Sequence, residues 1–368
     1  MKRYFDICAT TPIDEQVLSF INKESKNIFG NPSSIHGFGQ KSKAIIERAR
    51  INIGNAINSS PNEIIFTSGG SMSNNMALMG TLKEGDHFIT SSYEHPAILN
   101  VASFLKRKGV SVSLVKPNKE GTIDPLKVKD KIKSTTKLVS IMHINNEIGT
   151  INPIEEISNF VKEQGLLFHT DAVQAMGKIK IDMQKVKIDL MSLSGHKFYA
   201  PKGIGILYVK EGTNIEPTLF GGGQESNLFP GTENIISIGA IGLAAKICSD
   251  NIDENMRKVE KLDDYFIDLL NNSNISYLIN GEKRIPGIIN LSLLNTKSTS
   301  FIINLDREGF AISAGSACAS GSSIGSHTLK ELGIKNSLMN KSYRISFGKL
   351  HSKKDIKKLF ELIKKNIN

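Results

Sequence analysis

Lys197 stands where an amine could act as a nucleophile. It directly follows an apolar run that ends in Ser194-Gly195-His196, and glycine and proline residues break the chain soon after it. Burial lowers the pKa of an amine, and a neutral amine can attack a carbonyl and form a Schiff base. A solvated turn lysine is the alternative, and this stretch taken alone supports the two interpretations equally.

A glycine- and serine-rich stretch predicts an anion-binding loop. The apolar run 64–67 predicts a buried strand, residues 68–73 form a Ser/Gly loop, and a helix follows. This order presents backbone N–H groups and a helix N-terminus to an anion, with Gly70 and Ser71 as candidate contacts. The loop lacks the lysine of a Walker motif and the spacing of a dinucleotide-binding loop. A helix capped by serines is the alternative.

Polar side chains follow several predicted strands, at the point where each strand ends. Strands and helices alternate over the first part of the chain, which predicts a mostly parallel sheet covered by helices on both faces. Ligands bind beyond the carboxyl ends of such strands. The residues found there include His95, Asn146, Asp171, Gln174, Ser194, His196 and Lys197. Asn152 is predicted to cap one intervening helix, with Pro153 in its first turn.

Together these residues have the chemistry needed to hold pyridoxal 5'-phosphate. The loop at Gly70 and Ser71 would bind the phosphate, with Ser194 and His196 as further donors. Lys197 would supply the Schiff-base amine.

The remaining candidates would contact the cofactor ring. Asp171 would pair with the pyridinium nitrogen, and Asn146 and Gln174 would hydrogen-bond the phenolic oxygen. His95 would lie on the ring face and transfer protons, since a histidine pKa is near neutral. Each residue alone has an ordinary explanation, such as a helix cap or a packed histidine. The set as a whole favours the cofactor.

Cys318 is a second reactive group, set among small polar residues and glycines in the stretch 313–323. Structural cysteines are typical of apolar surroundings such as those of Cys248, so Cys318 is expected on an exposed, flexible loop. Such a thiol suits a nucleophile that moves between a buried cofactor and an outside acceptor; an incidental loop cysteine is the alternative. Arg344, on a predicted strand, could clamp a substrate carboxylate in bidentate fashion.

Composition limits the class of protein. Of 368 residues, 39% are hydrophobic and 22% charged, which is ordinary for a soluble globular chain, and the formal net charge is +10. Much of that charge lies on lysine-rich helical faces without interleaved aromatic residues, so direct binding to nucleic acid is not expected. Three cysteines argue against a disulfide framework and for a reducing compartment. With no secretory signal or membrane-spanning run, the protein is expected in the cytoplasm, and no metal site is predicted.

The chain is long enough for two layered domains. We predict a large α/β cofactor-binding domain over residues 14–250. From about residue 251 the pattern changes to a long helix, short strands near 288–291 and 344–347, and a final amphipathic helix. We predict that residues 1–13 and 251–368 form a smaller α+β domain that carries the Cys318 loop.

Essentially end to end, the sequence resembles the pyridoxal-phosphate cysteine desulfurases of the NifS/IscS type. These belong to the class V aminotransferases of PLP fold-type I (aspartate aminotransferase-like). The most specific matching motifs lie at residues 30–34, 142–150, 169–174, 194–197, 315–318 and 344–348. The Gly-Ser-Ala-Cys form of the motif that ends at Cys318 is similar to the NifS/IscS branch rather than the SufS branch.

This resemblance implies that Lys197 holds the cofactor as a Schiff base and that the Cys318 thiolate attacks the sulfur of L-cysteine. A persulfide then remains on Cys318, and L-alanine leaves. Asn146 and Arg344 are the expected substrate-binding residues. The resemblance also implies a homodimer in which Thr232 reaches the phosphate of the neighbouring subunit. The expected sulfur acceptor is an iron–sulfur scaffold or a tRNA-thiolation protein.

Four positions depart from the family pattern. Ser71 replaces the usual Thr and Met72 the usual Glu, so a hydroxyl is kept and a carboxylate lost. Ser226 and Phe229 stand where the family carries two arginines. The absence of the two arginines changes the electrostatics expected near the pocket mouth and dimer seam, where acceptor choice or turnover could differ. Because the lysine, the nucleophile and the ring partners are intact, catalysis is expected.

Two other functions are consistent with these residues. A selenocysteine lyase, or another β-elimination enzyme on the same fold, would use the same cofactor. A non-catalytic desulfurase-like scaffold would bind partners without turnover, and the missing arginines are its only support.

Overall fold

The computed structural model describes residues 3–296, 300–314 and 325–367, so Cys318 lies outside the described residues. The helices are α1 (Glu15–Glu24), α2 (Gly37–Ile57), α3 (Gly70–Met79), α4 (Pro96–Arg107), α5 (Pro125–Lys129), α6 (Ile154–Glu163), α7 (Ile235–Asp250), α8 (Ile252–Asn271), α9 (Phe301–Arg307), α10 (His327–Glu331), α11 (Asn336–Met339) and α12 (Lys353–Ile367). The strands are β1 (Ile64–Thr67), β2 (His87–Ser91), β3 (Ser111–Val115), β4 (Thr136–Ser140), β5 (Leu167–Asp171), β6 (Leu190–Ser194), β7 (Gly205–Val209), β8 (Tyr277–Ile279), β9 (Ile288–Leu293) and β10 (Ser342–Ser346). Short 3-10 turns in the described ranges cover Pro61–Glu63, Gly195–Lys197 and Glu225–Asn227.

The first seven strands form one sheet in the order β1-β7-β6-β5-β4-β2-β3. The pairs among β6, β5, β4, β2 and β3 are parallel, and β7 is antiparallel to both of its neighbours. Only β7 therefore runs against the others, which confirms the predicted mostly parallel α/β sheet. The carboxyl ends of β1, β2, β4, β5 and β6 consequently meet at one edge, and the loops that follow them face the same space.

Helix α2 shows how the local sequence defines the ends and the buried face of a helix that packs against this sheet. His36 Nδ1 accepts a hydrogen bond from Gly39 N at the start of the helix, and Asn58 ends it in the left-handed region, with φ at +55°. Asn tolerates that conformation better than most residues. Buried residues at helical spacing, including Ile46 and Ile53, pack α2 into the large core that lies on one face of the sheet.

Strand β1 lies at the edge of the sheet. An ion pair binds backbone groups on the side of β1 that has no neighbouring strand. The Arg50 guanidinium donates to the carbonyl oxygen of Ile64 and to the Glu225 carboxylate. Glu225 also accepts from Phe66 N at 2.7 Å. Unpaired N–H and C=O groups at a sheet edge invite unwanted pairing, and this arrangement satisfies them. It also fixes β1 just before the glycine-rich loop.

The three remaining strands form an antiparallel sheet in the order β10-β9-β8. Helices α8, α9 and α12 cover it around a separate core, which includes Phe5 of the N-terminal segment. Tyr4 and Asp6 form β-bridges to Ala311 and Ser346, so the N-terminus joins this second layer. The exact domain boundaries at residues 13 and 250 stay a prediction.

The predicted cap of α6 is wrong. Pro153, not Asn152, is the residue before the helix, which begins at Ile154. Asn152 is buried, and its side chain accepts from the Tyr93 hydroxyl at 2.9 Å and donates to the Met142 carbonyl oxygen at 2.8 Å. Long-range partners therefore outweigh its local capping preference.

No single helix in the described ranges is long and apolar enough to cross a membrane; α7 and α8, bent by 69° at their junction, pass that test only as a pair.

Candidate functional site

A cavity of about 570 Å³ opens at the sheet edge where the carboxyl ends of the parallel strands meet. Most of the predicted site residues line it, namely Gly70, Ser71, His95, Asn146, Asp171, Gln174, Ser194, His196, Lys197 and Arg344. Thr232 is exposed and does not line this cavity. Cys318 falls in the stretch that the structure does not describe. The volume is typical of a small-molecule or cofactor site.

The glycine-rich loop and α3 form one end of the cavity. Helix α3 begins at Gly70 without a side-chain cap on its first turn, so its N-terminus presents N–H groups and positive dipole to the cavity. A Cβ on Gly70 would lie 2.7 Å from Val173 Cγ2 and 3.2 Å from Ser194 Cβ. Glycine is therefore required for this close approach. Met72, half-buried, lines the same end.

Lys197 also lines the cavity, at the end of the 3-10 turn that follows β6. Its Nζ donates to the carbonyl oxygens of Cys8, at 2.5 Å, and Ala9, at 2.9 Å. Thr11 donates to the His196 carbonyl oxygen at 3.0 Å and anchors the same turn. The N-terminal segment thus positions the lysine, which the sequence pattern did not predict.

Asp171 ends β5 and is buried, with two hydrogen bonds that orient its carboxylate. Oδ2 accepts from Asn74 Nδ2 at 2.7 Å, and Oδ1 accepts from Val173 N at 3.0 Å. Asn74 lies on α3 and also lines the cavity, and its Oδ1 is buried without a partner among the described residues. Asp171 is therefore held rigidly, with lone pairs left to accept from a ligand.

Gln174 is buried next to Asp171, and its amide is oriented by the N-terminal segment. Nε2 donates to the Cys8 carbonyl oxygen at 2.9 Å, whereas Oε1 has no partner among the described residues. A buried polar atom without a partner in a cavity indicates an absent ligand or water. Asn146 also faces this space, and its carbonyl oxygen accepts from Arg344 Nη1 at 2.8 Å.

The two predicted histidines lie in surroundings that lower their pKa. His95 Nδ1 accepts from Ala97 N at 3.1 Å, so its neutral ring carries the proton on Nε2. Burial is the main cause that lowers its pKa, while the Asp171 carboxylate opposes that shift. Burial and the nearby Lys197 ammonium lower the pKa of His196 to about 4. His196 Nδ1 lies 3.1 Å from Thr10 Oγ1, which fixes the ring at the cavity wall.

Two buried carboxylates next to the cavity were given no role by sequence reasoning. Glu94 precedes His95, and its Oε1 accepts from Ser91 Oγ at 2.6 Å and Met142 N at 2.9 Å. Burial raises its pKa to about 8. Glu147 follows Asn146 and is also fully buried. Their position directly beside predicted site residues was the available signal.

The donor set fits pyridoxal 5'-phosphate. An uncapped helix N-terminus suits a phosphate, a rigid carboxylate suits a protonated ring nitrogen, and a lysine in the same cavity suits a carbonyl carbon. Asn74 and Gln174 line the same cavity, and their buried amide oxygens have no partner among the described residues. Within the described ranges, no cluster of three or more metal-ligating side chains occurs.

Comparison with known proteins relates the whole chain to one family. The aminotransferase class-V model matches residues 3–359. The cysteine desulfurase IscS of Dictyoglomus turgidum is 40% identical over 375 residues, which cover 100% of this chain and 95% of that protein. Among solved structures, a NifS-like protein superposes with a TM-score of 0.92 at 31% identity and covers 99% of both chains. The protein SspA in complex with cysteine superposes with a TM-score of 0.83 at 34% identity, over 94% of this chain and 98% of that one.

Proposed function

We infer that this chain, which belongs to the aminotransferase class-V family, is a pyridoxal-phosphate-dependent cysteine desulfurase. One observation carries the inference. The amine of Lys197, the oriented carboxylate of Asp171 and the uncapped N-terminus of α3 line a single cavity. The cofactor, when bound there, supplies an electron sink that makes the bonds to the substrate's reacting carbons labile.

The reaction balances without an external oxidant. The carbon–sulfur bond of L-cysteine breaks, and its electron pair stays with the carbon, which takes up a proton to give L-alanine. A sulfur–sulfur bond forms to Cys318, which is oxidised to the persulfide. A thiol on the acceptor protein then removes the outer sulfur and restores the Cys318 thiol.

The described residues have distinct tasks in this scheme. Lys197 is the amine that binds the cofactor and moves protons at the substrate carbon. Asp171, oriented by Asn74, keeps a proton on the ring nitrogen. In its neutral form His95 carries its proton on Nε2, because Nδ1 accepts a hydrogen bond from Ala97 N. His95 can therefore donate a proton from Nε2, and it could accept one on Nδ1 only if the hydrogen bond from Ala97 N were broken.

Visible absorption of the purified protein, before and after L-cysteine and a reductant, tests the function. We expect a yellow cofactor band that shifts on addition of cysteine, together with the release of sulfide and alanine. A band that ignores cysteine would indicate another amino-acid substrate. The absence of any band, even after pyridoxal 5'-phosphate is supplied, would contradict the enzyme and favour the scaffold.

The Cys318→Ala variant separates sulfur transfer from simple elimination. A desulfurase should almost stop releasing alanine, because the nucleophile for the sulfur is gone. A lyase that needs no persulfide would keep its rate. Cys248→Ala is the matched control, since Cys248 is a buried structural thiol whose pKa burial raises to about 11.

The homodimer is also proposed, and exposed apolar side chains support it. Ile35 is 94% and Phe220 is 89% exposed, and Phe29 and Phe38 are exposed beside Ile35 in the sequence. Such surfaces are typical of interfaces. Thr232, exposed here, would act in the partner's site. Light scattering should give twice the chain mass, and Phe220→Ser should weaken the dimer; a monomeric wild type would contradict it.

The sulfur acceptor and the cellular location of the protein are also proposals. We propose transfer to an iron–sulfur scaffold or a tRNA-thiolation protein in the cytoplasm. The two described cysteines outside the Cys318 stretch are free and buried, which suits a reducing compartment. Transfer of labelled sulfur from Cys318 to each purified acceptor, and fractionation of cells, would test both proposals.

A further inference from the structure

We propose that Glu147 is a positioning residue for sulfur transfer, which holds the chain that follows Cys318 beside the cofactor cavity. The inference rests on the proposed function, because it concerns how the Cys318 thiol is placed. Glu147 lies in the loop after β4, next to Asn146, and Asn146 lines the cavity.

Both carboxylate oxygens of Glu147 bind one short stretch of chain. Ser326 Oγ donates to Oε2 at 2.5 Å, and Thr328 Oγ1 donates to Oε1 at 3.1 Å. Ser326 Oγ also accepts from Leu329 N at 3.1 Å, so the same hydroxyl caps α10. Because Glu147 is fully buried, loss of these donors would leave its oxygens without either partners or water.

His327, between the two hydroxyl residues, adds a second attachment. Its Nε2 lies 2.9 Å from the carbonyl oxygen of Glu94, and its Nδ1 lies 3.8 Å from Glu147 Oε1. Glu94 directly precedes His95, which lines the cavity. The start of α10 is therefore joined to the loops that follow two neighbouring strands, β2 and β4.

The chain on the other side of Cys318 is attached to the same loop after β4. Ser313 forms a β-bridge with Arg344, and Ser313 Oγ donates to Asp6 Oδ2 at 2.8 Å. Arg344 Nη1 in turn donates to the carbonyl oxygen of Asn146 at 2.8 Å. Glu147 therefore binds the chain after the stretch 315–324 directly, whereas Ser313, before that stretch, is linked to Asn146 only through Arg344.

This arrangement has a consequence for the reaction. Fixing both ends of a chain segment limits the space that its reactive group samples, and so raises the effective concentration of that group at the site. A misplacement of about 1 Å can cost about 10²-fold in rate. Glu147 should therefore matter for the step that uses Cys318 and not for steps that use only Lys197 and the cofactor.

Two reactions of the cofactor-loaded dimer separate these roles. Exchange of the Cα proton of L-alanine with deuterium from solvent needs the cofactor site but no thiol. Release of L-alanine from L-cysteine needs both. We expect Glu147→Ala to lower alanine release by about 10²-fold while the exchange rate stays near that of the wild type. Glu147→Gln should recover part of the loss, because its amide oxygen still accepts one hydroxyl.

A readout independent of turnover checks the mechanism. Amide hydrogen exchange of the substrate-free protein should increase in residues 326–332 of Glu147→Ala. Asp189→Asn is the matched control: that buried carboxylate binds Lys162 Nζ and Phe168 N at the opposite end of the sheet. Asp189→Asn should lower the free energy of unfolding without lowering alanine release relative to proton exchange.

Thr328→Val keeps the shape of the side chain and removes one hydrogen-bond donor to Glu147, so it replaces Glu147→Ala if that variant fails to fold. It should lower alanine release more than proton exchange, by a smaller factor than Glu147→Ala. Equal loss of both rates in the folded variants would overturn the proposal, as would unchanged alanine release. A wild-type protein that exchanges the L-alanine proton but releases no alanine from L-cysteine would contradict the proposed function instead.

Discussion

The guanidinium of Arg344 lies 2.8 Å from the carboxylate of Asp6, although 338 residues separate them in the sequence. Arg344 is only 1% exposed, so an N-terminal residue neutralises its buried charge. Nη1 is engaged by Asn146, while Nε is buried without a partner among the described residues. Because two of its nitrogens already bind the protein, the bidentate clamp on substrate stays a prediction.

Asp6→Asn should destabilise the protein, because the buried Arg344 cation loses its counter-charge. Removing one partner of a buried pair costs about 3–5 kcal/mol, and the retained amide oxygen should reduce the loss to about 2–3 kcal/mol. Urea denaturation measures this change in the free energy of unfolding. Asp253→Asn, whose carboxylate pairs with Lys180 on the surface, is the control and should change little. Equal stability of the two variants would contradict the prediction.

Asn74→Leu should weaken cofactor binding, since Asp171 loses one of the two hydrogen bonds that orient it. An unsatisfied buried acceptor costs about 1–3 kcal/mol, so we expect the dissociation constant of pyridoxal 5'-phosphate to rise about tenfold. Retention of the visible band during dialysis reports this. Asn75→Ala, at the next position of α3, removes a bond to the Ser71 carbonyl oxygen instead and should retain the band. Identical losses in both variants would show that Asn74 has no special role.

Glu94→Gln should remove a pH dependence of stability. Burial raises the pKa of Glu94 from 4.5 to about 8, so the folded state keeps a proton that the unfolded state loses. That contribution is complete below pH 4.5 and declines as the pH rises towards about 8, by about 1.4 kcal/mol per pH unit. The glutamine, which imitates the protonated acid, should make the variant relatively more stable at higher pH. Parallel curves of unfolding free energy against pH would refute this.

His169→Gln should make the protein less sensitive to acid. Burial lowers the pKa of His169 from 6.5 to about 3, and its ring nitrogens lie 2.7 and 3.0 Å from Ser140 Oγ and Ser192 Oγ. Because the unfolded state binds the proton first, stability falls as the pH drops below 6.5. In the variant, the slope of the unfolding free energy against pH should be smaller by about 1.4 kcal/mol per pH unit, whatever the stability at neutral pH. An acid-side slope equal to that of the wild type would refute this.

The polar residues at the strand ends could be predicted from the sequence, because their position depends on the local pattern of apolar and polar residues. Apolar runs such as 64–67 and 190–194 report burial, and the residues that follow them must lie at the carboxyl ends of parallel strands. The sequence therefore predicts that Gly70, Asp171 and Lys197 lie at one edge of the sheet. The change in pattern near residue 251 predicts the smaller α+β domain, whose boundaries stay a prediction.

Only the tertiary structure decided which partners hold these groups. Cys8 orients Lys197 and Gln174, Asp6 neutralises Arg344, and Glu147 binds the chain after Cys318; no periodicity encodes such distant pairs. The sequence by itself determined the fold class and predicted the candidate reactive groups, since both depend on residue type and spacing along one segment. The orientation and protonation of those groups depend on burial and on contacts between segments far apart in the chain, which exist only once the chain has folded.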